Sequence, residues 1–305
     1  MRATILASMR LVEVTHAPVP ERRHALVTFV ERLAARAGSR PLSDHLWLDL
    51  KEGDAAGSIS VSVSDPAGTI ALAQIAQANE GSVVEVVVDP AQADAADVHD
   101  DVLETAVDAF RVAGGGHLTW WTDADDERSR DVAERSGLRL ERSLHEMRVG
   151  LPLAARASVP TRPFTPTDAD AWLRVNNRAF ADHPEQGGWD RETLATRLGE
   201  SWFDADGFRL YEHDGVVAAF CWTKVHHEMS PPVGEIYVIG VDPELHGRGL
   251  GRELTLAGLD WMSDHGLHEA MLYVDGANVA AHRVYERLGF VTQHTRYAFA
   301  GTLNP

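Results

Sequence analysis

The spacing of apolar residues along the chain switches between a helical period and the runs or alternations of strands, and each switch marks an element boundary. A helix is expected over about 20–37, strands near 58–64 and 69–78, and a further strand over Val83 to Val88 that stops at Asp89-Pro90. A helix over about 97–113, a strand over 117–122, a helix over 126–136 and a strand over 138–149 complete the first half. The second half opens with a short strand, Val159 to Phe164, bounded by Pro163 and Pro166. A helix from Asp168 to Phe180 follows, with Thr167 as its expected N-cap. Strands over about 207–213 and 216–226 meet at the turn residues His213-Asp214-Gly215. A strand from Glu235 to Val241 then ends at Asp242-Pro243. Beyond it lie a glycine-rich turn, a helix to about His265, a strand over 269–275, a helix over 278–288 and a last strand over 290–299.

The two halves follow the same order. Asp89-Pro90 recurs as Asp242-Pro243, and Glu134-Arg135-Ser136-Gly137-Leu138 recurs as Glu286-Arg287-Leu288-Gly289-Phe290. The offsets, 153 and 152 residues, agree within one position across the whole intervening stretch. Such register points to an internal repeat. Between the copies, Leu151 to Pro163 holds three prolines and a run of small residues, and reads as a linker. The expectation is two tandem α+β domains, over 1–150 and 164–305, joined by residues 151–163.

Charge narrows the ligands. The 305 residues carry 28 Lys+Arg and 46 Asp+Glu, a formal net charge of −18. The first 150 residues hold a net −10 and the remainder −8. A surface this acidic repels phosphate backbones and anionic lipid, which excludes a general nucleic-acid or membrane-surface role. It favours a ligand bearing an amine, and an anionic ligand must be held by local groups. The one cysteine, Cys221, sits among apolar neighbours and reads as a small core residue, with no disulfide framework. The apolar stretch from Thr4 to Ser8 is too short for a signal peptide, and no apolar run reaches the ~20 residues that span a bilayer. A cytoplasmic, monomeric protein is expected. His226-His227-Glu228 lacks the spacing of a zinc motif, so no metal is expected.

The sharpest local feature is the turn from Val241 to Leu254, with glycines at 247, 249 and 251 between a strand and a helix. Such a turn can aim successive N–H groups at an anion, assisted by the helix dipole. Arg248 and Arg252 add local positive charge. No Lys-Ser/Thr pair follows, and the third glycine falls one place early for a dinucleotide fingerprint. The plain alternative is a glycine-rich helix start with no ligand.

This order of elements, with the Gly-x-Gly turn and Tyr285-Glu286-Arg287-Leu288-Gly289-Phe290 after it, resembles the GNAT superfamily of N-acyltransferases. Segments such as Arg174–Phe180, His183–Trp189, Trp222–His226, Gly234–Pro243 and Leu272–Val274 resemble the mycothiol synthase family, itself a tandem pair of GNAT domains. The resemblance implies in each domain a mixed, mostly antiparallel central sheet flanked by helices. It implies one acetyl-CoA per chain as co-substrate, and acetyl transfer to the cysteinyl amine of cysteinyl-glucosaminyl-inositol. The implied acetyl-CoA contacts are Ile239, Gly240 and Val241, then His246, Gly247, Arg248, Gly249, Leu250, Gly251 and Arg252. Asn278, Val279, Ala280, Ala281, His282 and Arg283 resemble a second contact at the next helix start. Histidine at 246 departs from the family's Gln or Arg. Asp44, Glu185, Lys224 and Tyr273 match contacts to the acceptor, and Lys224 is one of only two lysines beside 26 arginines.

Amine acetylation needs a proton acceptor, a partner for the carbonyl oxygen and a proton donor for the departing thiolate. Glu235 fits a general base, an ammonium-binding carboxylate or a solvated strand-edge residue. Tyr285, with an ordinary phenol pKa near ~10, fits the donor or a packed aromatic. A backbone N–H between Ile239 and Val241 would hold the oxygen. Alternatives are a GNAT enzyme for another small amine, such as an aminoglycoside or amino acid, and a non-catalytic acyl-CoA sensor. In the first copy, Ser82 and Ala133 stand at the Glu235 and Tyr285 positions. Its turn, Ala91 to Asp101, has no glycine or arginine and four aspartates. That copy is therefore expected neither to catalyse nor to bind acetyl-CoA.

Overall fold

The structure, a computed structural model, describes residues 10–16, 19–37, 40–52, 57–78, 81–181 and 186–305. Two compact units emerge. One combines Met1–Arg142 with Arg296–Pro305, and the other is Ser143–Thr295.

In the first unit, β1 (Leu11–His16), β2 (Ile59–Asp65), β3 (Gly68–Ala78) and β4 (Gly81–Val88) form an antiparallel run. Helices α1 (Pro20–Ala37) and α2 (Asp44–Glu52) precede β2, and α3 (Ala95–Val112) leads to β5 (Gly116–Thr122) and α4 (Glu127–Ser136). Strand β5 lies parallel to β4 over three residue pairs and antiparallel to the end of β12 (Val291–Leu303). The sheet is buried on both faces. On one, α1 and α2 bring Leu26, Phe29, Leu46 and Leu50 against Leu72 and Val87. On the other, α3 and α4 bring Val102, Leu103 and Val132 against Ile59, Ile75 and Trp120.

The second unit repeats the plan. Helices α5 (Ala169–Ala179) and α6 (Arg191–Leu198) precede the antiparallel strands β8 (Phe208–His213), β9 (Val216–His226) and β10 (Val233–Val241). The β8–β9 turn has Asp214 at φ 52° and Gly215 at φ 76°, the positive pair that suits a tight hairpin. Helix α7 (Leu250–Asp264) leads to β11 (Glu269–Asp275), parallel to β10, and then to α8 (Val279–Arg287). The far side of β11 is covered by β6 (Arg139–Gly150), antiparallel from Leu144 to Gly150. Each sheet therefore takes its last strand from the other half of the sequence. One face buries six aromatic side chains, Trp172, Phe208 and Trp222 among them, with four more packed half-buried against them. Cys221 is fully buried in the opposite, aliphatic layer under α7, where burial pushes its thiol up to about 12.

Three short elements escape the periodicity: β1, α2 and α6. The strand expected at Val159 to Phe164 shrinks to β7 (Arg162–Pro163). Just before it the backbone finds carboxylates instead of a neighbouring strand, since Ala157 donates to Asp260 at 2.9 Å and Ser158 to Glu253 at 2.7 Å, both on α7. The cap before α5 also moves. A single 3₁₀ turn, Pro166–Asp168, intervenes, and Thr165 rather than Thr167 forms the capping box with Asp168.

Candidate active site

Strand β10 organises the second unit's site. Gly234 leaves no room for a side chain, since an added Cβ would stand 2.5 Å from Met262 Sδ on α7. Ile236 packs into the same α7-facing layer. Alternation therefore sends the side chain of Glu235 to the opposite face. A β-bulge between Ile236 and Val238 then places Tyr237 and Val238 both against the aromatic layer. The alternation is reset, so Ile239 and Val241 face α7, while Gly240 lies under Phe220. On the other edge, β10 and β11 pair only from Gly234 to Ile236. Beyond that the strands part, and the β11-facing backbone of Tyr237–Val241 carries no ladder partner among the described residues.

Glu235 is 7% exposed, and its Oε2 lies 2.7 Å from His226 Nε2. The other ring nitrogen lies 2.8 Å from Oε1 of the exposed Glu228. The hydrogen bond to Glu235, then that to Glu228, holds the His226 imidazole above its ordinary pKa despite burial. Lys224 is the cross-strand partner of Glu235, and its ammonium lies 5.3 Å from the Trp202 ring centroid. Trp202 in turn packs edge-on to Tyr237 at 4.9 Å. Tyr273, on β11, donates to Glu146 of β6 at 3.3 Å. Burial, then the carboxylates of Glu146 and Glu235, push its phenol up to about 12. Glu146 is braced by Arg148, which also reaches Glu269.

Tyr285 is almost fully buried in the α7-facing layer with Leu250, Leu254, Ile239 and Val241, more deeply than a half-buried helix residue. Burial raises its phenol pKa, so it stays protonated at neutral pH. The two candidate catalytic groups thus lie on opposite faces of the sheet, on either side of the gap where β10 and β11 part.

The glycine turn has the backbone that the sequence suggests. Gly247 has φ 77° and Gly249 φ 80°, a left-handed region that favours glycine. Gly249 is the N-cap of α7 and contributes no capping side chain, so the first N–H groups of the helix are left for another acceptor. A Cβ at Gly247, Gly249 or Gly251 would meet no protein atom within 4 Å. The geometry fits a pyrophosphate. Arg248 is exposed, whereas Arg252 pairs with Glu253 at 2.7 Å and His246 Nε2 lies 3.0 Å from Val241 O. Asn278 caps α8 by accepting from Ala281 N at 3.1 Å, and Val279, Ala280 and Arg283 are exposed beside it. Ala281 and His282 are half-buried, with His282 packed edge-on against His145 of β6. Glu185 and the side chain of Asp44 lie outside the described residues; the Asp44 backbone starts α2 in the first unit.

In that unit the matching geometry carries other chemistry. Ser82 pairs with Leu118 as Glu235 pairs with Met271. The N-cap of α3 is Asp94, whose carboxylate takes two 2.7 Å bonds from Arg10, and Asp89 faces Arg32 and Arg36. Among the described residues, no group of three or more His, Cys, Asp or Glu could hold a metal ion, and no helix is long and apolar enough to cross a membrane.

Trp202 and Glu146 belong to no motif in the sequence, Tyr237 to none with a chemical role, and His226 and Glu228 stand out there only as a run without metal spacing. The β9–β10 register carries the signal for His226: with Lys224 opposite Glu235, His226 is the diagonal neighbour on the same face. Glu146 had no such signal, since its partner strand is remote in sequence.

A model of the acetyltransferase (GNAT) family matches residues 171–290. The chain is 39% identical over 282 residues to the mycothiol acetyltransferase of Acidimicrobium ferrooxidans, covering 88% of this chain and 90% of that one. It is 41% identical over 280 residues to the one from Thermomonospora curvata, covering 90% of each. A GCN5-related N-acetyltransferase from Sphaerobacter thermophilus shares the fold with TM-score 0.67 and 19% identity, covering 97% of this chain and 96% of that one. A tandem GNAT protein from the clavulanic acid biosynthesis pathway gives 0.61 and 16%, covering 97% and 99%. With its glycine turn, parted strands and buried carboxylate, the chain belongs to the mycothiol acetyltransferase family of GNAT N-acetyltransferases.

Proposed function

We propose that the second unit transfers acetyl from acetyl-CoA to the cysteinyl amine of cysteinyl-glucosaminyl-inositol, with one acetyl-CoA per chain. The observation that carries this reading is the buried Glu235 carboxylate beside the parting of β10 and β11, next to an uncapped glycine turn. Acetyl-CoA supplies a thioester activated toward amines. The N–H groups at Gly247–Arg252 hold its pyrophosphate, with Arg248 beside them, and the start of α8 makes a second contact. The unpaired backbone of Ile239–Val241 takes the pantetheine arm and aims an N–H at the thioester oxygen, stabilising the charge that grows there.

Glu235 takes the proton from the acceptor's ammonium, directly or through one water, which frees the nitrogen lone pair. Tyr285, kept protonated by burial, gives a proton to the departing thiolate. Lys224, Tyr273 and Glu146 line the acceptor side, where hydroxyls of a sugar and an inositol find both donors and acceptors. The first unit takes no part in the chemistry. Its α3 begins at Asp94, a carboxylate bound by Arg10, where the second unit has Gly249, and Ser82 stands where the second unit has Glu235.

A mass-spectrometric assay with acetyl-CoA and the cysteinyl pseudo-disaccharide, run beside aminoglycosides and free amino acids, tests this. Preferred acetylation of the pseudo-disaccharide is expected, and faster turnover of another amine overturns it. Calorimetric titration should give one acetyl-CoA per chain; two would return the first unit to cofactor binding.

A further inference from the structure

Glu235 is a carboxylate almost wholly shut away from solvent. A base must nevertheless be ionised before it can accept a proton. Among the described residues its Oε2 has one hydrogen-bond partner, His226, and that ring is itself held from behind by Glu228. The result is a line of carboxylate, imidazole and carboxylate running from a solvated glutamate to a buried one. Glu228 is 72% exposed in its side chain and Glu235 only 9%.

We propose that His226, clamped between exposed Glu228 and buried Glu235, is the positioning residue that fixes the Glu235 carboxylate and holds its negative charge in place. The inference rests on the reading of Glu235 as the base. The charged groups around the ring are Glu235 from β10, Glu228 from the turn after β9, and Lys224 from β9 itself. The two carboxylates favour the imidazolium and Lys224 opposes it, and the net direction is toward the charged ring. As an imidazolium, His226 donates from both nitrogens and offsets the Glu235 charge inside the sheet. When Glu235 takes the amine proton, the ring–carboxylate attraction falls away. Loss of that proton from Glu235 to solvent restores the carboxylate–imidazolium pair, with the ring charged throughout.

The pH profile of kcat/KM tests this in three variants, with thermal melts confirming folding. His226→Gln keeps a hydrogen-bond donor but no charge, so the acid limb should move up by about 1–3 pH units, with activity recovering toward high pH. Glu228→Gln should move the limb less and in the same direction. Glu235→Gln should leave background turnover at every pH. An inactive Glu235→Gln with an unmoved acid limb in the two other variants overturns the role of His226 and leaves the base standing. Full turnover in Glu235→Gln overturns the base, and the inference with it.

Discussion

Lys224 and Glu235 stand directly opposite each other on β9 and β10, yet each side chain leans on a different partner, the ammonium on Trp202 and the carboxylate on His226. The lysine is thus near Glu235 without being spent on it. Replacing it by alanine should raise the KM for the acceptor about tenfold, equivalent to about 1.4 kcal/mol, and change kcat little. Steady-state kinetics with the cysteinyl pseudo-disaccharide check this. A fall in kcat at unchanged KM would reassign Lys224 to the chemistry.

The glycine turn can be separated into conformation and space. Gly249→Ala forces a side chain into a left-handed residue and should cost about 1–2 kcal/mol of stability. Gly251→Ala has no such strain, meets no protein atom and gains helix propensity. It should melt at the same temperature or slightly higher, yet bind acetyl-CoA at least about tenfold more weakly if the added methyl meets the pyrophosphate, a loss of about 1.4 kcal/mol. Melting curves and calorimetry on the same two samples give both readouts, and undiminished binding in Gly251→Ala would place the pyrophosphate elsewhere.

Gly240 is a packing glycine. A Cβ there would stand 2.7 Å from the Phe220 ring. Gly240→Ala should lower stability by about 1–3 kcal/mol through overpacking, seen as a lower urea midpoint. Pairing it with Phe220→Leu should recover much of the loss, and additive losses would show that the ring is not the obstacle.

Asp168 closes the turn before α5 and is held to about 2 by hydrogen bonds from Arg162, with Thr165 adding to them. Its folded-state pKa lies below its unfolded value. The stability it contributes is present above about pH 4 and is lost as pH falls from there toward 2. Arg162→Gln should therefore destabilise the protein at pH 6 and progressively less below pH 4. Urea midpoints at pH 6, 4 and 3 decide it; a difference that stays constant with pH would mean that Arg162 acts through packing.

Local patterning carried most of the elements, because helix and strand periods are written in neighbouring residues. The left-handed turn at Gly247 and Gly249 was legible for the same reason, since side-chain sterics alone demand glycine there. What patterning left out depends on partners far along the chain. The bulge at Tyr237 shifts which residues face α7 and leaves no trace in composition, since Tyr237 and Val238 are both acceptable strand residues. His226 was set aside as a poor metal ligand, and only the strand register shows it beside Glu235. The seven pairs that bring β6 to β11 join residues more than a hundred positions apart, so Glu146 and Tyr273 meet through topology.

That topology also sets a schedule for synthesis. The first unit's sheet includes Arg296–Pro305, so β5 waits without its outer neighbour until the ribosome has made everything else in the sequence. Strand β6, made early, must likewise wait for β11. The half of the chain that leaves the tunnel first is therefore finished last, and a stall before Arg296 leaves an open strand edge, a ready site for aggregation, in the first unit.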